Sequence, residues 1–373
     1  MAEVLISPGV LARENDQSQI TAGPIQAGAA IIGPTVKGQE DIPTLVTSYS
    51  EYQAAFGSTF LSGSNQYTFF TSISAYNYFQ NGGSTLLVTR VTPGAFSQAT
   101  SSYIATGSHA GTTIADDVSP FTLATLAEGN IMNSTSSAAG TPIGGNGTLP
   151  SGSADNFRWE IASPSTSSGV FSLLLRQGND TQTSKAVVET YSNLSLDPLA
   201  PNYISKVIGD QVQTVRGTGA DVYLQSSGSY PNASRFIRVS AVNTQTPNYF
   251  DNNGKPKDIF TGSIPAAQSG SFGSGIGDIT GSGTPSNFYQ AINDTDSQGL
   301  TGTDYTTAIN LLGNRDEFRY NVITAPGLVL ANGTTGAGWT SIQSNCENRG
   351  DAIFVGDLVN YNSSLTQVTN GAA

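Results

Sequence analysis

A chain of 373 residues with one cysteine, Cys346, and one histidine, His109, is short of the side chains on which most protein chemistry depends. A lone thiol excludes an intrachain disulfide and a cysteine-rich metal site, since both need several sulfurs. A lone histidine leaves a serine or cysteine nucleophile a single partner for its activation. His109 lies in a Gly/Ser/Thr-rich stretch with no triad motif around it, which favours an exposed loop residue over a catalytic one. Charge is scarce as well. Asp, Glu, Lys and Arg make up 11% of the chain and the formal net charge is −12, so clustered cations for nucleic-acid phosphates or an anionic membrane are missing. No apolar run reaches the ~18 residues of a membrane span, and the first residues, Met1 to Pro8, carry neither a basic nor a long apolar region, so no secretion signal is read.

What is present is glycine, 42 residues of it, with much serine, threonine and asparagine and 9% aromatics. Disorder needs high charge together with low hydrophobicity, and the charge is absent, so the bulk of the chain should fold, rich in strands and turns. Several Asn-x-Ser/Thr triplets, among them those at Asn133, Asn146, Asn179, Asn193 and Asn232, are chance products of this composition in a chain without a secretory signal.

Near the amino terminus, Val4, Leu5 and Ile6 form a short strand before the turn Ser7-Pro8-Gly9-Val10. Nothing local pairs with it, so it is either a frayed end or an arm that adds to another sheet. Ala29 to Gly33 and Pro43 to Thr47 read as strands. Ser48 and Glu51 have capping-box spacing for a short helix that Gly57 stops, and a second helix runs from Tyr67 to Gln80 with Phe69, Phe70, Ile73 and Tyr76 at helical spacing. Leu86 to Val91 is the next strand, which implies a crossover between parallel neighbours. From Pro93 to Gly302 short alternating runs separated by Gly, Ser and Thr predict β-rich modules, with Val170–Arg176 and Lys185–Tyr191 pairing antiparallel and a short helix over Pro201–Gly209. Gly262 to Gly283 is expected to be a mobile loop. Phe318–Ala325, Trp339–Asn348 and Ala352–Asp357 then give strand, helix and strand. The expected fold is an α/β core, discontinuous in sequence, with a mixed sheet, crossover helices and inserted β-rich domains, α+β overall. Its parts are an arm (1–23), a first half (24–92), two insertions (93–156 and 157–302) and a second half (303–373).

Chemistry is sought and mostly not found. Gly273-Ser274-Gly275-Ile276-Gly277 has no strand before it and no Gly-Lys-Ser/Thr after it, so a flexible linker is favoured over a phosphate loop. Asp294-Thr295-Asp296 opens like a calcium loop, but its twelfth position is Tyr305 where a bidentate glutamate is needed. Asp251-Asn252-Asn253-Gly254 is a turn, and Cys346, one helical turn after Ile342, is a packed thiol. No catalytic, cofactor or metal residue is assigned.

The order of several short motifs resembles the contractile tail-sheath proteins of myovirus-type bacteriophages. They are Ser7-Pro8-Gly9-Val10, Ile31-Ile32-Gly33-Pro34 with Lys37-Gly38, Pro43 to Tyr49 leading to Phe56-Gly57, and Tyr78 to Gly83 followed by Leu86 to Val91. Two further regions are similar to the same family. One spans Phe171–Arg176, Val188–Tyr191, Asn193–Pro198 and Asn202–Ile204; the other is Tyr320–Gly327 with Glu347–Asp351 before a last strand. The resemblance implies a homo-oligomer of stacked hexameric rings in a helical sheath, with tail-tube and baseplate proteins as partners. It implies a location in the virion after assembly in the host cytoplasm, and no enzymatic activity. It also implies strand exchange between arms and a neighbour's core, which gives Val4, Leu5, Ile6, Ser7, Pro8, Gly9 and Val10 a use as an assembly arm. The family continues into a carboxy-terminal part that has no counterpart before Ala373, so tube-facing residues are not assigned. The alternative from another class is a glycan-binding adhesin or receptor-binding tail protein, for which an acidic Ser/Thr/Gly-rich β-protein is ordinary, with a secreted hydrolase more distant. The α/β halves flanking the insertions favour the sheath.

Overall fold

A computed structural model of the chain describes residues 25–62, 65–106, 119–134, 152–279, 292, 296–331, 333, 335–360 and 363–371. The expected arm, His109, Asn146, Asp294 and Thr295 lie outside the described residues. The fold is a mixed α+β arrangement of several sheets.

The first elements are β1 (Ile25–Gly33), β2 (Thr44–Val46), α1 (Tyr49–Phe56), β3 (Phe60–Ser62), β4 (Asn65–Tyr67), α2 (Phe70–Gln80) and β5 (Leu86–Arg90). There follow β6 (Gln98–Ser101), β7 (Phe121–Glu128), β8 (Phe157–Ser165), β9 (Val170–Gln177), β10 (Val187–Ser195), α3 (Ile204–Ile208), β11 (Val212–Arg216), β12 (Tyr223–Ser227), β13 (Ile237–Val242), α4 (Asp258–Thr261) and β14 (Gln268–Gly273). The last are α5 (Thr306–Leu312), β15 (Phe318–Val329), α6 (Gly336–Arg349), β16 (Ile353–Asp357) and α7 (Leu365–Gly371).

One five-stranded sheet has the order β16-β15-β1-β5-β2. Its centre joins the two ends of the chain, because β1 pairs in parallel with β15 (Ala30 opposite Ile323) and with β5 (Ile31 opposite Val88). Both faces of these central strands are covered, as parallel strands require. Ala30, Ile32, Leu87 and Ile323 pack with Leu311, Leu312 and Ile342 on the α5/α6 face, while Ala29, Ile31, Leu86 and Val88 meet Tyr52, Phe56 and Ala75 from α1 and α2 on the other. The crossover to β5 starts from β1. The strand expected at 43–47 is β2, an antiparallel edge strand, with Leu45 opposite Leu87; the crossover reading of that segment is corrected accordingly.

α1 begins as its capping spacing predicts. Ser48 accepts from the Glu51 N–H (3.2 Å), but the Glu51 carboxylate reaches back one residue further, to the N–H and hydroxyl of Thr47 (2.9 and 2.8 Å). α2 starts three residues later than expected, because Asn65–Tyr67 is taken into a hairpin with Phe60–Ser62. Its buried face is Thr71, Ser72 and Ala75, and its apolar stripe Phe70, Ile73 and Tyr76 faces outward. Close approach is the reason: a Cβ on Gly33 would lie 2.5 Å from the Thr71 hydroxyl, and one on Gly28 would lie 2.7 Å from the Tyr78 hydroxyl. Gly33 thus admits Thr71 where α2 crosses β1, and Gly28 admits the Tyr78 hydroxyl.

The second sheet has seven strands, all antiparallel, in the order β10-β9-β8-β14-β6-β7-β13. Its core is Trp159, Ile161, Phe171, Leu173, Leu175, Phe121, Leu123, Ile237 and Phe272. The five-residue α3 packs against both outermost strands, β10 and β13, so the sheet is curled around its own core. The expected break between residues 156 and 157 falls within this sheet.

Two expectations fail here for one reason. Residues 268–273 are the central strand β14, not a loop, and Ser271 and Phe272 are buried. Gly270 makes room for the Trp159 indole, since a Cβ there would stand 2.3 Å from the ring, and the indole N–H donates to Ser271 O (3.1 Å). The glycine run that follows is no free linker either. Gly275 exchanges two hydrogen bonds with the Asn133 side chain (2.8 and 2.9 Å), and Gly277, at φ 108°, packs against Phe96. Low complexity in this stretch reflects steric fit rather than freedom.

Candidate functional site

Among the described residues no group of three or more His, Cys, Asp or Glu side chains is placed to hold a metal ion, and the candidate site is an exposed edge of the five-stranded sheet. β16 ends the five-stranded sheet, and among the described residues no strand lies on its outer edge. Its sequence alternates, and the register with β15 places Ile353 opposite Val322 and Val355 opposite Thr324. Phe354 turns to the α6 face and meets Trp339 edge-on at 5.0 Å. Gly356 lets that pair close, as a Cβ there would be 2.4 Å from the indole nitrogen. Ile353 and Val355 point the other way and remain 69% and 57% exposed. An apolar parallel edge strand of this kind is a template for pairing with another chain. Phe70, Ile73 and Tyr76 on α2, Leu365 and Val368 on α7, and Leu45 on the opposite edge strand add to the exposed apolar surface.

The frame behind β16 is held by Arg349. Its guanidinium donates to Leu312 O at the end of α5 and to Phe318 O at the start of β15 (2.9 Å), pairs with Asp351 (2.9 Å) and lies 4.3 Å over the Tyr320 ring. One side chain thereby ties α5, α6 and β15 together, a role invisible in sequence spacing because its partners are backbone carbonyls.

A second buried cluster joins the two sheets. Across it Glu128 N–H donates to Gly38 O (3.0 Å), Glu40 N–H donates to Glu128 Oε2 (2.8 Å), and Arg90 Nη1 donates to Gly38 O (2.7 Å) and Glu128 O (3.0 Å). Phe96 stacks 4.7 Å from the guanidinium. Burial pushes the carboxyls of Glu128 and Asp41 each up to about 7, and Glu40 is raised by burial against the pull of the Thr92 hydroxyl. Burial lowers Arg90 to about 10, opposed by Glu128 and Glu40. Beside the joint, Lys37 pairs with Asp155 (3.7 Å), and Leu45, Ala54, Phe56, Leu126, Phe157 and Phe236 line an apolar cavity of about 280 Å³.

Other residues singled out by sequence have plain structural places. Cys346 is buried on α6, where burial pushes its thiol up. Tyr305 is fully buried. Asp251 caps its turn through Asn253 and Lys255 N–H (both 2.8 Å), with Gly254 at φ 77°. The side chains of Asn133 and Asn232 are spent on internal hydrogen bonds, to Gly275 and Gln211 respectively.

No family model matches the chain, and no curated protein matches it in sequence. Among solved structures it is similar to the sheath tail protein from Desulfitobacterium hafniense, at 12% identity and a TM-score of 0.36, over 92% of this chain and 51% of that one. It is also similar to a sheath tail protein from Listeria innocua, at 12% identity and a TM-score of 0.38, over 88% of this chain and 45% of that one. The chain spans about half the length of these two proteins.

Proposed function

We propose that the chain is a non-enzymatic structural subunit of a contractile phage tail sheath. In this role it polymerises as stacked hexameric rings into a helical sheath around the tail tube, is triggered through the baseplate, and shortens to drive the tube through the host envelope. It is assembled in the host cytoplasm and ends in the virion. The observation that carries the proposal is the edge strand β16, which offers an unpaired ladder together with exposed Ile353 and Val355. We assign the pairing strand to Val4, Leu5 and Ile6 of a neighbouring copy, with Ser7, Pro8, Gly9 and Val10 as the turn that leads it across. In the same proposal residues 24–92 and 303–373 form the subunit core, and 93–156 and 157–302 are peripheral insertions.

Negative-stain microscopy of the protein with and without residues 1–18 tests this. Rings or tubes that vanish on truncation, with the truncated chain still folded by circular dichroism, support it. Normal assemblies after truncation refute the arm, and a monomer or trimer that binds sugars refutes the sheath.

A further inference from the structure

The joint between the two sheets brings four carboxyls together, Asp41 facing Glu40, Glu128 and Asp304, beside one guanidinium whose charge acts on Glu128 and Glu40 without direct pairing. Arg90 is fully buried, its Nη1 is spent on two backbone carbonyls, and its Nε and Nη2 make no hydrogen bond. A buried arginine that stabilises carboxylates does so through the forked, two-point contact, and that contact is absent. The acids come from every element at the joint. Glu40 and Asp41 lie between β1 and β2, Glu128 ends β7, and Asp304 precedes α5. Glu40 Oε1 accepts from the Thr92 hydroxyl (2.6 Å) and Asp304 accepts from Thr301 (2.7 Å), whereas the buried Asp41 Oδ1 has no hydrogen-bond partner. Lys37, on the same segment as Glu40 and Asp41, is engaged with Asp155.

We propose that this joint is a proton-controlled hinge, locked while Glu128 and Asp41 are protonated and loosened by repulsion among Glu40, Asp41, Glu128 and Asp304 once they ionise. The sign follows from the direction of the shifts. Burial raises both groups to about 7, so the closed joint keeps protons that an opened, solvated joint releases above about pH 4. Closure is therefore most favoured at low pH, weakens as pH rises from about 4 to 7, and is constant above that. The chain crosses between the two sheets through residues 91–97 and 274–279, where Ile279 is buried in the core of the five-stranded sheet, so loosening changes the angle between the sheets without unfolding either.

Hydrogen–deuterium exchange on the whole chain at pH 5.0 and 8.0, corrected for intrinsic rates, tests the hinge. Peptides covering 36–42 and 126–130 should lose roughly tenfold or more of their protection at the higher pH, while the β9 peptide keeps its own. Glu128→Gln retains an acceptor for the Glu40 N–H and removes the charge, and it should shrink the loss several-fold; Asp41→Asn should do the same independently. Equal protection at both pH values, an equal loss in β9, or an undiminished loss in both variants overturns the hinge. If neither variant folds, the wild-type comparison decides alone.

Discussion

Replacing Ile353 and Val355 by lysine separates folding from assembly. Full burial of an isoleucine or valine side chain is worth about 1.5–3 kcal/mol. With 69% and 57% of these two still exposed, covering them by a neighbour should contribute roughly 1–2 kcal/mol each. The double substitution forfeits that and adds the cost of desolvating two ammonium groups, so a loss of at least ~4 kcal/mol per contact is expected, about a thousandfold in the association constant. The isolated subunit should hardly notice, because exposed substitutions stay within about 0.5 kcal/mol. Sedimentation velocity across a concentration series reads the association, and thermal unfolding of the monomer reads the fold. Assembly at the wild-type threshold with an unchanged melting curve would show that this edge is not an interface.

Three further outcomes are expected from the fold. Trp159→Ala empties the centre of the curled sheet and removes one of the two donors to Ser271 O, so chemical denaturation should show a loss of about 3–5 kcal/mol. Asp180→Asn removes the carboxylate that Arg176 holds at 2.7 Å and Arg158 at 3.6 Å, and breaking such a buried network should cost about 3–5 kcal/mol by the same assay. Cys346, buried with its thiol raised, should react with an aromatic disulfide reagent only on unfolding; rapid stoichiometric labelling of the native protein would contradict its placement.

Much of the five-stranded sheet is legible in the sequence, because strands covered on both faces announce themselves as apolar runs. Ala29–Gly33 and Leu86–Arg90 do so, and Ser48, Gly57 and Gly350 mark helix ends by chemistry that acts locally. The β9–β10 hairpin is legible for another reason, an alternating run on either side of a turn at Gly178-Asn179-Asp180. Illegible elements depend on a distant partner. β14 is Gln-Ser-Gly-Ser-Phe-Gly, whose glycine makes sense only against Trp159, more than a hundred residues away in sequence. The outward turn of Phe70, Ile73 and Tyr76 depends on Gly33 admitting Thr71 beneath α2. The joint around Arg90 is equally hidden, since its acids are scattered from Glu40 to Asp304 and no local spacing draws them together.

The seven-stranded sheet enters and leaves at one point. Ser97 N–H donates to Ile276 O, and Ile276 N–H donates back to the Ser97 hydroxyl, both at 3.0 Å. A segment of nearly two hundred residues whose ends already touch can be gained, enlarged or lost in evolution with little change in the closure entropy of the chain that carries it. Such a segment is exchangeable while the sheet built from β1, β5 and β15 stays fixed. Anchors limit that freedom: the β11–β12 hairpin reaches back and buries Val222, with Val215 and Leu224 packed against the same core, and Glu128 and Asp155 are tied to Glu40, Arg90 and Lys37, so a clean exchange has to replace these contacts.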